Sequence, residues 1–547
     1  LFLKELAMKK IAIILSFFVC VIGNLHAQNL MRGPYLQSML PTGVKIMWRT
    51  DVPAISKIEY GLSKDNLSET ISSDSLEIDH VLELKNLIPS TTYFYKVSAN
   101  NVLAGGDEWH HFTTAPPFGS TTPFRAWILG DFGAENQDQI LVKRSFLEYS
   151  AANPVDFWMW LGDNTYTTGK DFEYQNTVFS KDYGYDSIFR YLPFYPTPGN
   201  HDYGSVNQTG IVHKGPYFNI VNVFQNGEAG GEPSNTEKYY SYDYGNVHFI
   251  SLNSEAVTEV FLTNLNMKNW LIRDLQKNTQ PFTVVYWHQC PYSKGSHNSD
   301  AAFEVIIRAM RENFVPILEE YNVDLVLTGH SHVFERSYLM HGHYGNSASF
   351  DSATMVVNGS SGNIDEGTPY LKFLPGEGDG SRNGTVYVVA GNGGKSEANP
   401  ALNHPAFFAV DGGEGVCGSL IMDVEDNRID MRYLRKNGTI GDYFTIIKET
   451  STGINQNEIF QKLNVFPNPS KNEINLELFS ENINKIRISL LDINGKQLGI
   501  YFDGNILKGN NTIKLDFSNL NLAPGAYFLN ITDNENKQES VKIMLLE

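Results

Sequence analysis

Four apolar runs of strand character end abruptly in polar, ligand-type residues, and this pattern constrains the fold more than any other feature of the chain. Ala126-Trp127-Ile128-Leu129 leads into Gly130-Asp131-Phe132-Gly133, and Phe157-Trp158-Met159-Trp160-Leu161 leads into Gly162-Asp163-Asn164-Thr165-Tyr166. Thr283 to Trp287 ends at His288, and Leu325-Val326-Leu327 leads to Gly329-His330-Ser331-His332. A fifth segment, Gly199-Asn200-His201-Asp202, is the exception: its approach is broken by Pro196 and Pro198. Side chains leaving the carboxyl ends of several strands gather where open α/β sheets bind ligands.

Read as G-D-x-G, G-D-x-x-Y, G-N-H-D and G-H-x-H with V-x-x-H before the last, these segments resemble the dinuclear metallophosphoesterases. The tyrosine narrows the resemblance to the purple acid phosphatases. It runs from about residue 30 to residue 446, and it implies one metal held by Asp131, Tyr166 and His332. A second would be held by Asn200, His288 and His330, with Asp163 bridging both. The implied activity is hydrolysis of phosphate monoesters by attack of a metal-bound hydroxide at a dinuclear metal centre. His201 is implied as a phosphate contact and His297 as the proton donor to the leaving group. Plant members carry a second histidine where this chain has Asn298, which puts Asn298 with His201 among the substrate-contact positions.

The donor types lead to the same chemistry. Carboxylate and phenolate favour a hard ion, whereas imidazole and amide oxygen suit a borderline divalent one. Fe(III) on the Tyr166 side, with Zn(II), Fe(II) or Mn(II) on the other, is the expected filling. Two ions sharing one carboxylate would sit roughly 3.5 to 4 Å apart and clamp both oxygens of an in-line displacement. The leaving oxygen still needs a proton, a task for a histidine outside the metal shell.

Each motif has a plainer reading. A lone Gly-Asp after a strand is usually a turn, a lone histidine is usually a surface or satisfied core residue, and Cys290 reads as a small buried residue. Five loops in order, all ending in donors, outweigh those readings together. Two other functions compete: a phosphodiesterase or nucleotide pyrophosphatase on the same metal core, and a cell-surface binding protein whose phosphatase domain is a scaffold. The intact donor set speaks against the scaffold.

The formal net charge of −19 argues against nucleic acid as a stable partner, because that affinity depends on Lys and Arg neutralising phosphates. Small phosphate esters remain suitable substrates, since bound metal ions dominate a site's local field. No oligomeric state can be read from the chain. Met8-Lys9-Lys10, the apolar run Ile11 to Ile22 and Leu25-His26-Ala27 read as a secretory leader over 1–27, with residues 1–7 upstream of its start. Cys20 lacks the small residues of a lipoprotein site before it, and the apolar run is too short to span a bilayer. Beyond the leader only Cys290 and Cys417 remain, so at most one disulfide is available and stability must come from large cores.

The expected organisation is multidomain. Short alternating runs over 30–117 suggest a β-sandwich, resembling the fibronectin-III-like N-terminal domain of the larger purple acid phosphatases, with packing on the catalytic region as its expected use. Residues 122–446 alternate strands with helical patterns, including one from Ala301 to Tyr321, and imply by resemblance the α/β metallophosphatase four-layer sandwich, two mixed β-sheets flanked by helices. A Gly- and Ser-rich stretch at 342–383 reads as a long loop. Past a polar linker at 451–458, residues 461–547 read as a small C-terminal β-sandwich with a hairpin at Asn494-Gly495. That block resembles the sorting domain of type IX secretion, which implies the secretion machinery as a partner and a secreted or cell-surface location.

Overall fold

The computed structural model describes residues 29–100, 102–204, 214–256, 265–450, 462–480, 484–493, 495–519, 522–534 and 538–546. The leader read at 1–27, Cys20 with it, and the linker at 451–458 lie outside the described residues.

From Leu30 to Thr113 six strands pair antiparallel in one curled sheet. Its longest strand, Gly43–Gly61, pairs with Leu30–Leu40 and Glu69–Lys85, then with Thr92–Ala99, and register shifts between Arg49 and Ala54 bend it. The sheet closes on Ile46, Trp48 and Tyr95. It packs on the central region, where Tyr35 meets Phe179 and Phe194 at 5.3 and 6.0 Å and donates to the Ile220 carbonyl at 3.0 Å. Arg49 pairs with Asp171 at 2.6 Å. The expected packing role is what these contacts supply.

Two mixed sheets form the central region, expected over residues 122–446. One orders seven strands: Tyr240–Tyr244, Val247–Ser251, Phe282–Gln289, Leu325–Gly329, Val386–Ala390, Phe334–Ser337 and Phe407–Asp411. The other sets Ile440–Glu449, Arg428–Arg435, Gly418–Glu425, Phe124–Leu129, Phe157–Leu161 and Phe194–Thr197 side by side. In each sheet the strands that end in donors run parallel.

The two-residue period of a strand explains the layers. Along Phe282–Gln289, Val284 and Tyr286 join the core between the sheets, where Phe157 of one sheet meets Phe249 of the other at 5.7 Å. Val285 and Trp287 join the opposite cluster with Trp270, Met310 and Phe314. The helix Asn266–Lys277 buries Met267, Trp270, Leu271 and Leu275, the spacing of one apolar stripe. On the outside of the other sheet, Trp127 stacks on Phe146 of the helix Gln137–Ala152 at 3.8 Å.

Three expectations need correction. Phe194–Thr197 is a strand despite Pro196, because it is the outermost strand of its sheet and a missing N–H there breaks no ladder. The helix read from Ala301 begins at Val305 and is interrupted at Phe314, with Val315–Glu320 following as a second helix opened by Pro316. The stretch at 342–383 is not one long loop: Val356–Asn358 pairs with Leu339–Met340, and Tyr370–Phe373 is also a strand.

A second compact unit takes in residues 372–382 and 449–547. Its sheets are Lys462–Phe466, Glu473–Ser480 and Gly509–Asp516, and Gln497–Ile506, Asn484–Leu491, Gly525–Asp533 and Gln538–Leu545. Ile474, Leu476 and Ile513 from one share a core with Ile486, Ile488 and Leu529 from the other. The expected hairpin joins Asn484–Leu491 to Gln497–Ile506.

Candidate metal centre

Three of the donor residues depart from ordinary backbone geometry. Asp131, Asp163 and His330, each following a glycine at a strand end, take φ of 56°, 49° and 71°. Non-glycine residues rarely adopt this left-handed region, and such strain concentrates at functional sites. The glycines before donors are required by close approach. A Cβ at Gly199 would lie 2.3 Å from Asp163 Oδ1, and one at Gly329 2.5 Å from Asp131 Oδ2.

The seven expected donors surround one space. Tyr166 donates to Asp131 Oδ1 at 2.9 Å and lies 3.4 Å from His332 Nε2, which is 3.6 Å from the same carboxylate oxygen. On the other side His288 Nε2 lies 3.2 Å from each of Asn200 Oδ1, His330 Nδ1 and Asp163 Oδ1. Donor separations near 3 Å are the edges of a coordination polyhedron with metal bonds of about 2.1 Å. Asp131, Asp163 and His288 bring their donor atoms within 4.8 Å of one another, and Asp163 thereby joins the two trios. The donors present fit two ions.

Electrostatics give the same answer. Burial pushes His288 down, yet Asp163 and Asp131 more than offset it and raise it to about 10. Burial drives Asp131 well above the ordinary carboxylate range, while Asp163 falls below it because the His288 and His201 contacts overcome its burial. Burial lowers His330 to about 3 and His332 to about 4, so both present neutral rings. The carboxylate pair therefore calls for a cation, and metal ions would take the place of the His288 proton, linking metal binding to proton release. His288 Nδ1 faces the Leu161 carbonyl at 2.9 Å, which places the neutral ring's proton there and leaves Nε2 as the donor.

His201 and His297 line the same space. The His201 amide donates to Asp163 Oδ1 at 2.9 Å, its Nδ1 faces the Thr167 carbonyl at 2.5 Å, and its Nε2 lies 3.8 Å from Asp163 Oδ2. The His297 ring lies 3.7 Å from that of His330 and 6.2 Å from that of His332. Asn298 uses its side-chain oxygen to accept the Asp300 amide at 3.0 Å, a local turn contact. Cys290 and Cys417 are both buried and free.

Two supporting residues were not singled out from the sequence. Glu304 holds His297 Nδ1 at 2.7 Å and lies 3.8 Å from His330 Nε2, so one carboxylate faces a metal-ligand candidate and the proton-donor candidate together. His297, Glu304 and His330 also form a donor cluster of their own. Asp202 accepts the Gly199 amide at 2.7 Å and both the backbone and side-chain amides of Asn164, tying the second and third donor loops together. Its signal was the final letter of G-N-H-D. Glu304, a lone residue before a helix, had none.

Comparisons with known proteins agree with this geometry. Residues 124–334 match the calcineurin-like phosphoesterase family, residues 34–114 the purple acid phosphatase N-terminal domain, and residues 464–545 the secretion system C-terminal sorting domain. An uncharacterised protein of Mycobacterium tuberculosis is 29% identical over 231 residues, covering 40% of this chain and 38% of its own. The "probable inactive purple acid phosphatase 9" of Arabidopsis thaliana is 28% identical over 299 residues, covering 46% and 42%. The chain thus spans about two-fifths of the length of these relatives. Among solved structures, a purple acid phosphatase from yellow lupin seeds superposes with a TM-score of 0.58 at 18% identity, covering 76% of this chain and 75% of that one. That likeness is one of fold.

Proposed function

From the premise that this chain is a metallophosphoesterase of the purple acid phosphatase type, with that family's N-terminal domain and a secretion-system sorting domain, we propose that it is an exported acid phosphatase. It hydrolyses phosphate monoesters, with water as co-substrate and an alcohol and inorganic phosphate as products. The observation that carries this reading is the pair of donor trios joined through Asp163.

In this reading Asp131, Tyr166 and His332 hold a hard ion, for which Fe(III) is the choice because of the phenolate. Asn200, His288 and His330 hold Zn(II), Fe(II) or Mn(II). Such ions supply an activated water at mildly acidic pH and neutralise charge on the phosphoryl oxygens. The side chains do the rest. His201, with Nδ1 at the Thr167 carbonyl, presents its other nitrogen toward the phosphoryl group. His297, oriented by Glu304 through Nδ1, carries the proton for the leaving alkoxide at Nε2. Asn298, next to His297 in sequence, is proposed as a substrate contact beside His201. The sorting domain directs export to the cell surface or beyond, with the secretion machinery as its partner.

The test is the metal-loaded wild type on p-nitrophenyl phosphate and bis(p-nitrophenyl) phosphate, with its visible spectrum. The reading predicts preference for the monoester and a phenolate-to-iron band that Tyr166→Phe removes. Preference for the diester would favour a phosphodiesterase, and no turnover of either ester would contradict the proposal.

A further inference from the structure

The segment Gly391-Asn392-Gly393-Gly394-Lys395, which follows the strand Val386–Ala390, belongs to none of the donor motifs, yet it is fixed against the metal centre. The amides of Gly393 and Gly394 donate to the carbonyls of Gly130 and Asp131, each at 3.0 Å. A Cβ at Gly394 would lie 2.4 Å from the Phe132 carbonyl oxygen, so glycine is what permits this approach. Asn136 Nδ2 holds the Gly394 carbonyl at 2.8 Å, and Cys417 Sγ meets the Lys395 carbonyl at 3.3 Å. The backbone on either side of the Lys395 side chain is therefore anchored.

That side chain is half-buried and places its ammonium 4.2 Å from the centroid of the Tyr166 ring. Among the described residues no carboxylate forms an ion pair with it. Other cations of the region are committed: Lys294 pairs with Asp300 at 2.6 Å and Lys436 with Asp138. The phenol oxygen lies a ring radius and one C–O bond from that centroid, so the ammonium stands at the border of the donor set. A ring face attracts a cation only modestly compared with a charge-assisted bond to a phosphate oxygen.

We propose that Lys395 is a specificity-determining residue whose ammonium pairs with a terminal oxygen of a dianionic phosphoryl group, favouring monoesters over diesters. The inference rests on the phosphoesterase reading above. A monoester carries up to two charges and three terminal oxygens, whereas a diester carries one charge and two. An ammonium at the rim of the donor set gains most from the extra charge and the third oxygen. The plainer role, a cation–π contact that holds Tyr166, would affect turnover of both esters alike.

Lys395→Met keeps chain length and removes the charge, and Lys395→Arg keeps the charge. At matched metal content, Lys395→Met should lower kcat/KM for p-nitrophenyl phosphate about tenfold or more, the worth of one bond to a charged group. The inhibition constant of inorganic phosphate should rise in parallel, while kcat/KM for bis(p-nitrophenyl) phosphate changes less than about threefold, well below the effect of such a bond. Lys395→Arg should recover most of the monoester activity. An equal fall for both esters, or no change in either, would overturn the assignment, as would a Lys395→Arg variant no better than Lys395→Met. A wild type that turns over neither ester would remove the phosphoesterase reading itself, whereas an active wild type indifferent to Lys395→Met would remove only the role of Lys395.

Discussion

The buried charges of this protein do two different jobs, and single residues distinguish them. At the candidate metal centre, Asp131, Asp163 and His288 form a charge set that could hold a cation. Beneath the sheet, His248 sits fully enclosed with Nδ1 at 2.6 Å from Asp243 and Nε2 at 2.9 Å from Asp274, a set complete in itself. Ser241 donates to Asp274 at 2.7 Å and Gln280 to Asp243 at 2.8 Å, which satisfies the remaining carboxylate oxygens. Burial pushes His248 down, but the two aspartates overcome it and raise it to about 9. A raised folded-state value means the stabilisation is full below the unfolded value near 6.5 and is lost as pH rises through 9. The difference is worth about 3 kcal/mol. Thermal unfolding from pH 6 to 10 should show the wild-type midpoint falling across that window, and His248→Gln should be less stable at pH 6 with a flatter profile. Parallel profiles for the two proteins would contradict this account.

At the scale of elements, the strand ends were legible because three signals coincide there: an apolar run long enough for a buried strand, a glycine, and a donor. Asp131, Asp163 and His330 follow this grammar, His332 lies two residues further on, and His288 ends its apolar run without a glycine; the structure brings them together with Tyr166 and Asn200. The layers were legible through resemblance, and the period-two split of Val284 and Tyr286 from Val285 and Trp287 gives their physical reason. The strand Phe194–Thr197 was hidden because a proline's effect depends on edge position, which only the assembled sheet reveals. Glu304 and Lys395 were hidden for a related reason, and Asp202 showed only as the last letter of G-N-H-D. Each acts through partners far away in sequence, such as His330 for Glu304 and Tyr166 for Lys395.

For the whole molecule, the candidate metal centre and the match to a sorting domain occupy separate stretches of chain. Every donor lies at or before His332, and residues 464–545 match a secretion-system sorting domain. A chain ending after residue 455 should therefore retain turnover as purified protein. In its host it should accumulate in the periplasm, as fractionation with an activity assay would reveal. Normal surface delivery of that chain would contradict the sorting role, and loss of turnover would show that the catalytic fold needs the terminal unit. The central claim is that two metal ions, joined through Asp163, perform the chemistry. The most direct measurement is metal content per chain alongside monoester turnover for wild type and Asp163→Ala. The account predicts two ions and turnover in the wild type, with both falling together in the variant. Two tightly bound ions in Asp163→Ala, or full turnover by a wild-type chain carrying fewer than two, would contradict it.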